Sequence, residues 1–501
     1  MKSKLNRYNL IFVHALLALL ILLVACAPAA TPQPTTQPEV EEAAPTTPPE
    51  VEEAEPTTPP EVEEAEPTAP PEVEEPEPTG PVELTLWTNL TTESQATVIQ
   101  KQVNECLADM PDVTVKFDTV PFGTMYPRLI TALQEGDVPN VINSTEGVVA
   151  FLQAKNGIVP LDDVIDSLGR DDFVGSYLDA MSKDGQVWAV PDWALHQEVW
   201  YRKDLFDEQG LEIPKSWDEL LSAAEALTQD TDGDGEIDIY GFAVPMGRVQ
   251  VAAQTFFQIL YSAGAYIFDP DTGEYVFDDD RETAVQAMQF MIDLYKAASP
   301  PASIEWSWGD FRTAYVEGNV AMTNEWGAVV LQALDQNPDM LDNMDVFPFP
   351  APNADEEAAA ALAGGYFYMV GEAPQAEVDA SKQLVQCMYE VDRVAERANS
   401  RPIFAIPATK SAFDSETYQG NEMVQRFKPQ LDVIFTQVMD NWYRYGMEAG
   451  LNPITGQIEA TTFIGDAIQN AALDNITAEQ AVQQIDEQLQ FQLALLGVQN
   501  Q

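Results

Sequence analysis

What most constrains the fold of this chain is an alternation of strand and helix periods between Val82 and Ile142. Val82–Thr88 reads Val-Glu-Leu-Thr-Leu-Trp-Thr, apolar at every second place, so the spacing predicts a strand. Thr92-x-x-Gln95 has the form of a capping box, opening a helix that runs to about Ala108 and stops before Pro111. Val113 to Phe117 reads as a second strand, Thr124 to Glu135 as a second helix stopped by Gly136, and Val138 to Ile142 as a third strand. Strand, helix, strand, helix, strand requires a parallel sheet covered by helices, an α/β fold. Ligands of such sheets bind beyond the carboxyl ends of the strands. That points to Trp87 and Asn89 after the first strand, and to Asn143 through Glu146 after the third.

A second α/β region begins near Trp200. Ser216-x-x-Glu219 opens a helix to Thr228, an acidic loop follows, and Ile239 to Val244 reads as a strand. Helical periodicity returns at 249–262, 281–297, 311–317, 326–335 and 377–398, and in a last helix from Thr477 whose Gln480 completes another box. Trp306 and Trp308 are spaced like a strand, with one face toward a core and the other toward a cleft.

The two ends differ in kind from this body. Lys2, Lys4 and Arg7 precede an apolar run from Leu10 to Ala25, the layout of a secretory signal peptide over residues 1–25. About 16 apolar residues fall short of the ~20 that a membrane-spanning helix needs. Leu23-Val24-Ala25-Cys26 resembles the lipobox of bacterial lipoproteins, which implies acylation of Cys26, an extracytoplasmic location and attachment to the cell membrane. Residues 27 to 81 hold 15 glutamates, no Lys, no Arg and no aromatic residue, and repeat Pro-Glu-Val-Glu-Glu at 38, 49, 60 and 71. Proline in every unit forbids a helix of that 11-residue period, so 26–81 reads as the lipidated cysteine plus an extended, self-repelling tether.

Residues 82–501 carry 67 acids against 21 bases, a net charge of −46 that repels nucleic acid and anionic lipid. Apart from Cys26 there are two cysteines, Cys106 and Cys387. An exported chain allows a disulfide between them, and two buried thiols fit equally well.

A series of short matches then resembles the extracellular solute-binding proteins of the maltose-binding type. They are Gly136-Asp137-Val138-Pro139-Asn140-Val141, Ile158-Val159-Pro160-Leu161-Asp162-Asp163, and Val190-Pro191 followed by Trp200-Tyr201-Arg202-Lys203-Asp204-Leu205-Phe206. Ile213-Pro214-Lys215-Ser216-Trp217-Asp218-Glu219-Leu220, Glu317-Gly318-Asn319-Val320-Ala321-Met322 and Gly364-Gly365-Tyr366 complete the set, in order across most of 82–501. The resemblance implies a two-lobed fold of the type II periplasmic-binding-protein kind that closes about a hinge. Lobe one would take 82–196 and 366–425, and lobe two 197–363 and 426–501. It also implies a sugar captured between the lobes and handed to the membrane subunits of an ABC importer, with the protein acting as a monomer.

Sugar capture needs aromatic rings against C–H faces and Asp, Glu, Asn, Gln or Arg against hydroxyls. The candidates are Trp87, Asn89, Glu146, Asp192, Trp193, Glu325, Trp326, Tyr366 and Trp442. Trp326, after the Gly-Asn-Val-Ala-Met stretch, stands where the family often presents a sugar-stacking tryptophan. Trp188, Trp200 and Trp217 read as packing residues.

Asp230, Asp232, Asp234, Glu236 and Asp238 follow the spacing of an EF-hand calcium loop with Gly235 at its sixth place. The twelfth place departs from it, Gly241 standing where a bidentate Glu belongs. A structural calcium ion is therefore an expectation alongside a plain Asp/Gly turn, and no other cofactor is expected. Enzyme readings fare poorly: beyond the leader the chain has one histidine, His196, and no Gly-x-Ser-x-Gly or Walker A string. A glycosidase, needing only two carboxylates, is the alternative enzyme, and a polyamine or peptide the alternative solute.

Overall fold

A computed structural model describes residues 80–497 apart from 359, 440 and 441, and apart from the side chains of 122 and 123. The leader, Cys26 and the tether lie outside the described residues. Thirteen strands order the described chain: β1 (Val82–Thr88), β2 (Val113–Thr119), β3 (Val141–Thr145), β4 (Ser182–Lys183), β5 (Gln186–Val187), β6 (Val190–His196) and β7 (Glu198–Arg202). After them come β8 (Tyr240–Ala243), β9 (Val320–Glu325), β10 (Met344–Phe347), β11 (Ala361–Val370), β12 (Ile406–Pro407) and β13 (Trp442–Tyr443).

They form two main sheets. The first runs β12-β6-β11-β3-β1-β2, with β13 added beside β11, and the second runs β10-β7-β9-β8. β1 pairs in parallel with β2 and β3, as its crossover helices require, while β11 enters antiparallel between β3 and β6. In the second sheet β8 and β9 are parallel, and β7 runs antiparallel to β9 and β10.

Each sheet has its own core. Leu84, Leu86, Ile142, Phe367 and Met369 of the first pack against Ile99, Val103 and Leu384. Val199, Phe242 and Met322 of the second pack against Phe256, Phe257, Met291, Ile468 and Ile485. Leu431, Ile434 and Trp442 belong to the first core, whereas Ile454 through Leu493 belong to the second. Cys106 and Cys387 are joined by a disulfide, tying the helix Glu93–Leu107 to the helix Gln375–Met388.

The chain passes between the sheets at narrow points. Only Gln197 separates β6 from β7; its N–H donates to Leu362 O at the return strand (3.2 Å) and its amide oxygen accepts from Asn324 (3.1 Å). Gln197 is thus the single residue linking a strand of the first sheet to a strand of the second.

Local expectations are met unevenly. β1 and the helix Arg281–Ala298 fall within a residue of their predicted bounds. The third strand starts at Val141 and not at Val138, because Pro139 has no N–H to give. Asn140 instead turns its side-chain oxygen to the Thr85 N–H (2.8 Å). The helical run 377–398 breaks into Gln375–Met388 and Val391–Asn399, with Tyr389 drawn onto the first sheet by a bond from its hydroxyl to Val190 O (2.9 Å). Trp306 and Trp308 are not on a strand: they follow the short 3-10 helix Pro301–Glu305, and the Ser307 N–H donates to Asp310 (2.8 Å) ahead of the next helix. The box at Thr477 closes on both sides (3.1 and 2.9 Å). That at Thr92 does not, since its hydroxyl is spent on the Gln95 side chain (2.6 Å).

Candidate functional site

The ends of β3 and β9 and the middle of β11 border a cavity of about 330 Å³ that takes its lining from both sheets. Thr145, Glu146, Gly364, Gly365 and Tyr366 come from the first sheet's side; Trp308, Arg312, Trp326, Gln250 and Gln254 come from the second; Arg401, Phe404, Arg444 and Glu459 close the ends. Aromatic faces and amide or charged groups thus meet in one place, as a polyol site requires.

Its floor is ionic. Arg444 is buried, with Nε 2.8 Å from Glu146 Oε1 and Nη2 donating to Glu459 Oε1 (2.8 Å). Glu146 also accepts the Gly365 N–H (3.1 Å). Burial raises the Glu146 carboxyl, the Arg444 charge opposes that rise, and Glu459 adds to it. Arg444 stays fully charged: burial works against it, but Glu146 and Glu459 outweigh the burial. The paired glycines of the returning segment have a steric reason. A Cβ on Gly365 would sit 2.9 Å from Trp193 O and 3.0 Å from the Phe367 ring, so only glycine lets β11 pass there.

The wall from the second lobe is built on β9. Glu325 ends that strand wholly buried and is held by Arg312, whose Nε donates to Oε1 (3.0 Å) and whose Nη2 reaches the same oxygen. Burial raises the Glu325 carboxyl and Arg312 opposes it. Trp326 follows directly and faces the cavity, as does Trp308. Across from them Tyr366 lies stacked on Trp193, ring centroids 4.5 Å apart and planes 11° from parallel. Burial pushes the Tyr366 phenol up to about 12, so it is a neutral donor at physiological pH.

The structure therefore brings Glu146, Trp326 and Tyr366 onto one cavity, with Glu325 and Trp193 one shell behind and Asn89 3.5 Å from the Tyr366 hydroxyl. Trp87 is half-buried on β1 under the Arg128 guanidinium (4.2 Å) and does not line this cavity. Asp192 and Trp442 are also placed elsewhere. Asp192 is buried in lobe one, where Arg397 Nε and Nη2 donate to its Oδ1 (3.0 and 2.7 Å). Trp442 packs on Tyr177 (4.4 Å) and borders a different cavity of about 480 Å³ with Glu448. Trp200 and Trp217 are packing residues; Trp217 stacks on Phe290 at 4.8 Å.

Arg312, Arg401, Arg444, Gln250 and Gln254 went unnoticed in the sequence. The usable signal was scarcity: in a chain with 24 basic residues, an arginine beside Trp442-Tyr443 or between Ser400 and Pro402 is conspicuous.

In the acidic loop, carboxylate oxygens of Asp230, Asp232 and Asp238 lie within 4.8 Å of one another, all exposed. Asp230 accepts the N–H groups of Gly233 (2.7 Å) and Gly235 (2.9 Å), and Asp238 accepts that of Thr231 (2.7 Å). Asp234 accepts the Glu236 N–H (2.8 Å).

Comparison with known proteins decides the lineage. Residues 91–392 match the family model of the bacterial extracellular solute-binding protein. The chain belongs to this family. Among curated relatives it is 25% identical to the putative ABC transporter periplasmic-binding protein YcjN of Escherichia coli K12, over 68% of this chain and 75% of that one. It is 22% identical to the arabinooligosaccharide-binding protein of Halalkalibacterium halodurans, over 72% and 78%. Among solved structures, maltose-bound MalE3 of T. maritima superposes with a TM-score of 0.66 at 21% identity, covering 82% of this chain and all of that one. The fold of this solute-binding protein is thus the two-lobed, maltose-binding type, and its cavity sits where two lobes can close on a solute. The family is extracellular, and the Escherichia coli relative is named for an ABC transporter.

Proposed function

We propose that the protein captures a sugar, most simply an oligosaccharide, between Trp326 and Trp308 on one side and Tyr366 on the other, and delivers it to the membrane subunits of an ABC importer. The observation that carries this reading is the pairing of four aromatic rings (Trp308, Trp326, Tyr366, Phe404) with the amides of Gln250 and Gln254 in one cavity. The names of relatives and structural neighbours point the same way, to arabinooligosaccharide and maltose. Arg401, which joins no ion pair among the described residues, disfavours a polyamine at this cavity. The protein acts as a binder and not a glycosidase, since Glu146 and Glu459 are both committed to Arg444 while a glycosidase needs a carboxylic acid free to give its proton.

Closure follows from the geometry. A sugar held on one lobe gains the rings and amides of the other only when the lobes meet, so binding favours the closed state. In the same reading Cys26 is lipidated and the Pro/Glu/Thr tether holds the protein, a monomer, away from the membrane. The Asp230–Asp238 loop holds a structural calcium ion. Thermal shift against a panel of mono- and oligosaccharides, polyamines and peptides tests the assignment, because a ligand that binds only the folded state raises the melting point by mass action. A shift with one sugar class supports it; a shift with amines or peptides alone overturns it.

A further inference from the structure

We infer that the sugar is an acidic one, a uronate whose carboxylate is received by Arg401 in the cleft; the inference rests on the sugar reading above. The three cavity arginines are not equivalent. Arg444 is spent on Glu146 and Glu459, and Arg312 on Glu325. Arg401 is half-buried, and among the described residues its guanidinium donates no hydrogen bond and joins no ion pair. What it does touch is a ring: its central carbon lies 3.9 Å from the Phe404 centroid, inside the cavity lining.

In a chain with 82 acids against 24 bases, leaving a partly buried guanidinium without a carboxylate is unexpected on composition alone. A guanidinium carries five donors in a planar fork and is always charged. Removed from much of its water, in contact with a ring face and hydrogen-bonded to no acceptor among the described residues, it leaves those donors for an acceptor that arrives with the ligand. Burial lowers its proton affinity, Tyr366 opposes that, Arg312 adds to it and Glu325 opposes it; the net direction is downward, and an anion at the guanidinium would oppose it. Arg312 stands close by with Nη1 unengaged among the described residues. Trp326 and Tyr366 border the same cavity, so the anion is one attached to a sugar ring.

A carboxylate suits the site better than a phosphate. Its two oxygens match the fork of one guanidinium, and its single charge meets less repulsion from Glu146, Glu325 and a chain of net charge −58. A charge-assisted bond of this kind separates acidic from neutral sugars by about tenfold or more.

Titration calorimetry on the purified protein tests this with matched pairs: galacturonate against galactose, glucuronate against glucose, trigalacturonate against maltotriose, and glucose 6-phosphate as the phosphate control. The expected result is binding of a uronate at least about tenfold tighter than its neutral partner, with that ratio collapsing in Arg401→Gln and partly retained in Arg401→Lys. Circular dichroism of both variants checks that they fold. Equal or tighter binding of the neutral sugars overturns the inference and leaves the sugar reading standing. Preference for the phosphate, or a uronate preference that survives Arg401→Gln, overturns the assignment to Arg401 and its carboxylate. Silence toward every sugar, acidic or neutral, overturns both readings.

Discussion

Replacing Arg397 by Met separates folding from binding at this site. Arg397 and Asp192 are 3% and 1% exposed at their side chains and meet at 2.7 Å. The same guanidinium also donates to Gln102 Oε1 (2.8 Å) and Met388 O (2.6 Å), so it ties β6 to two helices. Burial pushes the Asp192 carboxyl upward and Arg397 opposes that. Methionine fills much of the volume but leaves the buried Asp192 without its counter-charge, and breaking a buried pair from one side costs about 3–5 kcal/mol. With roughly 420 described residues and an unfolding entropy of about 2.1 cal/mol/K per residue, each kcal/mol lowers the melting point by about 1 °C if the lobes unfold together. Arg397→Met therefore melts about 3–5 °C lower in differential scanning calorimetry at neutral pH, and adding Asp192→Asn recovers part of that loss. Its sugar affinity stays within about threefold, a change near 0.6 kcal/mol. An unchanged melting point with affinity down tenfold would refute the reasoning and return Asp192 to the binding site.

Other outcomes follow from the same geometry. Burial raises the Glu448 carboxyl to about 7, while Tyr261 donates to it (2.7 Å). An acid whose folded pKa lies above its unfolded value stabilises below the unfolded value and loses that stability as pH rises through about 7. Glu448→Gln should therefore gain stability relative to the parent between about pH 4.5 and 7.5 by urea denaturation, and a flat difference between the two curves would contradict this. Reduction of Cys106–Cys387, which are 281 residues apart, should cost about 2–4 kcal/mol of unfolding free energy, with no fall in urea midpoint as the contrary result. Calcium added to chelator-treated protein should raise the melting point, and Asp230→Asn with Asp232→Asn should abolish the rise; no heat and no shift would remove the ion from the account.

The scaffold was readable because its periods are local. β1 announced itself by strict alternation, and the helix Arg281–Ala298 by apolar positions three and four apart. The third strand moved because one proline and one side-chain bond at Asn140 outweighed a hydrophobic run. Site residues divide on similar grounds. Glu146 and Tyr366 line the cavity from places the sequence marks, after a strand or after paired glycines, and Trp326 from its place after a recurrent motif. Arg312, Arg401 and Arg444 come from three distant segments, and nothing local marks an arginine that will face a cleft. The Asp192–Arg397 pair spans 205 residues, so the sequence offered Asp192 beside Trp193 as a cleft residue while the fold gives its charge to a helix.

Calorimetric titration of the protein and of Trp326→Ala with the sugar that most raises the melting point tests the central claim most directly. Loss of an aromatic face against a sugar would cost about 1.4 kcal/mol, or tenfold in affinity. The account predicts one site per chain in the parent and a loss of about that size in the variant. A sugar bound with equal affinity by both proteins would contradict it.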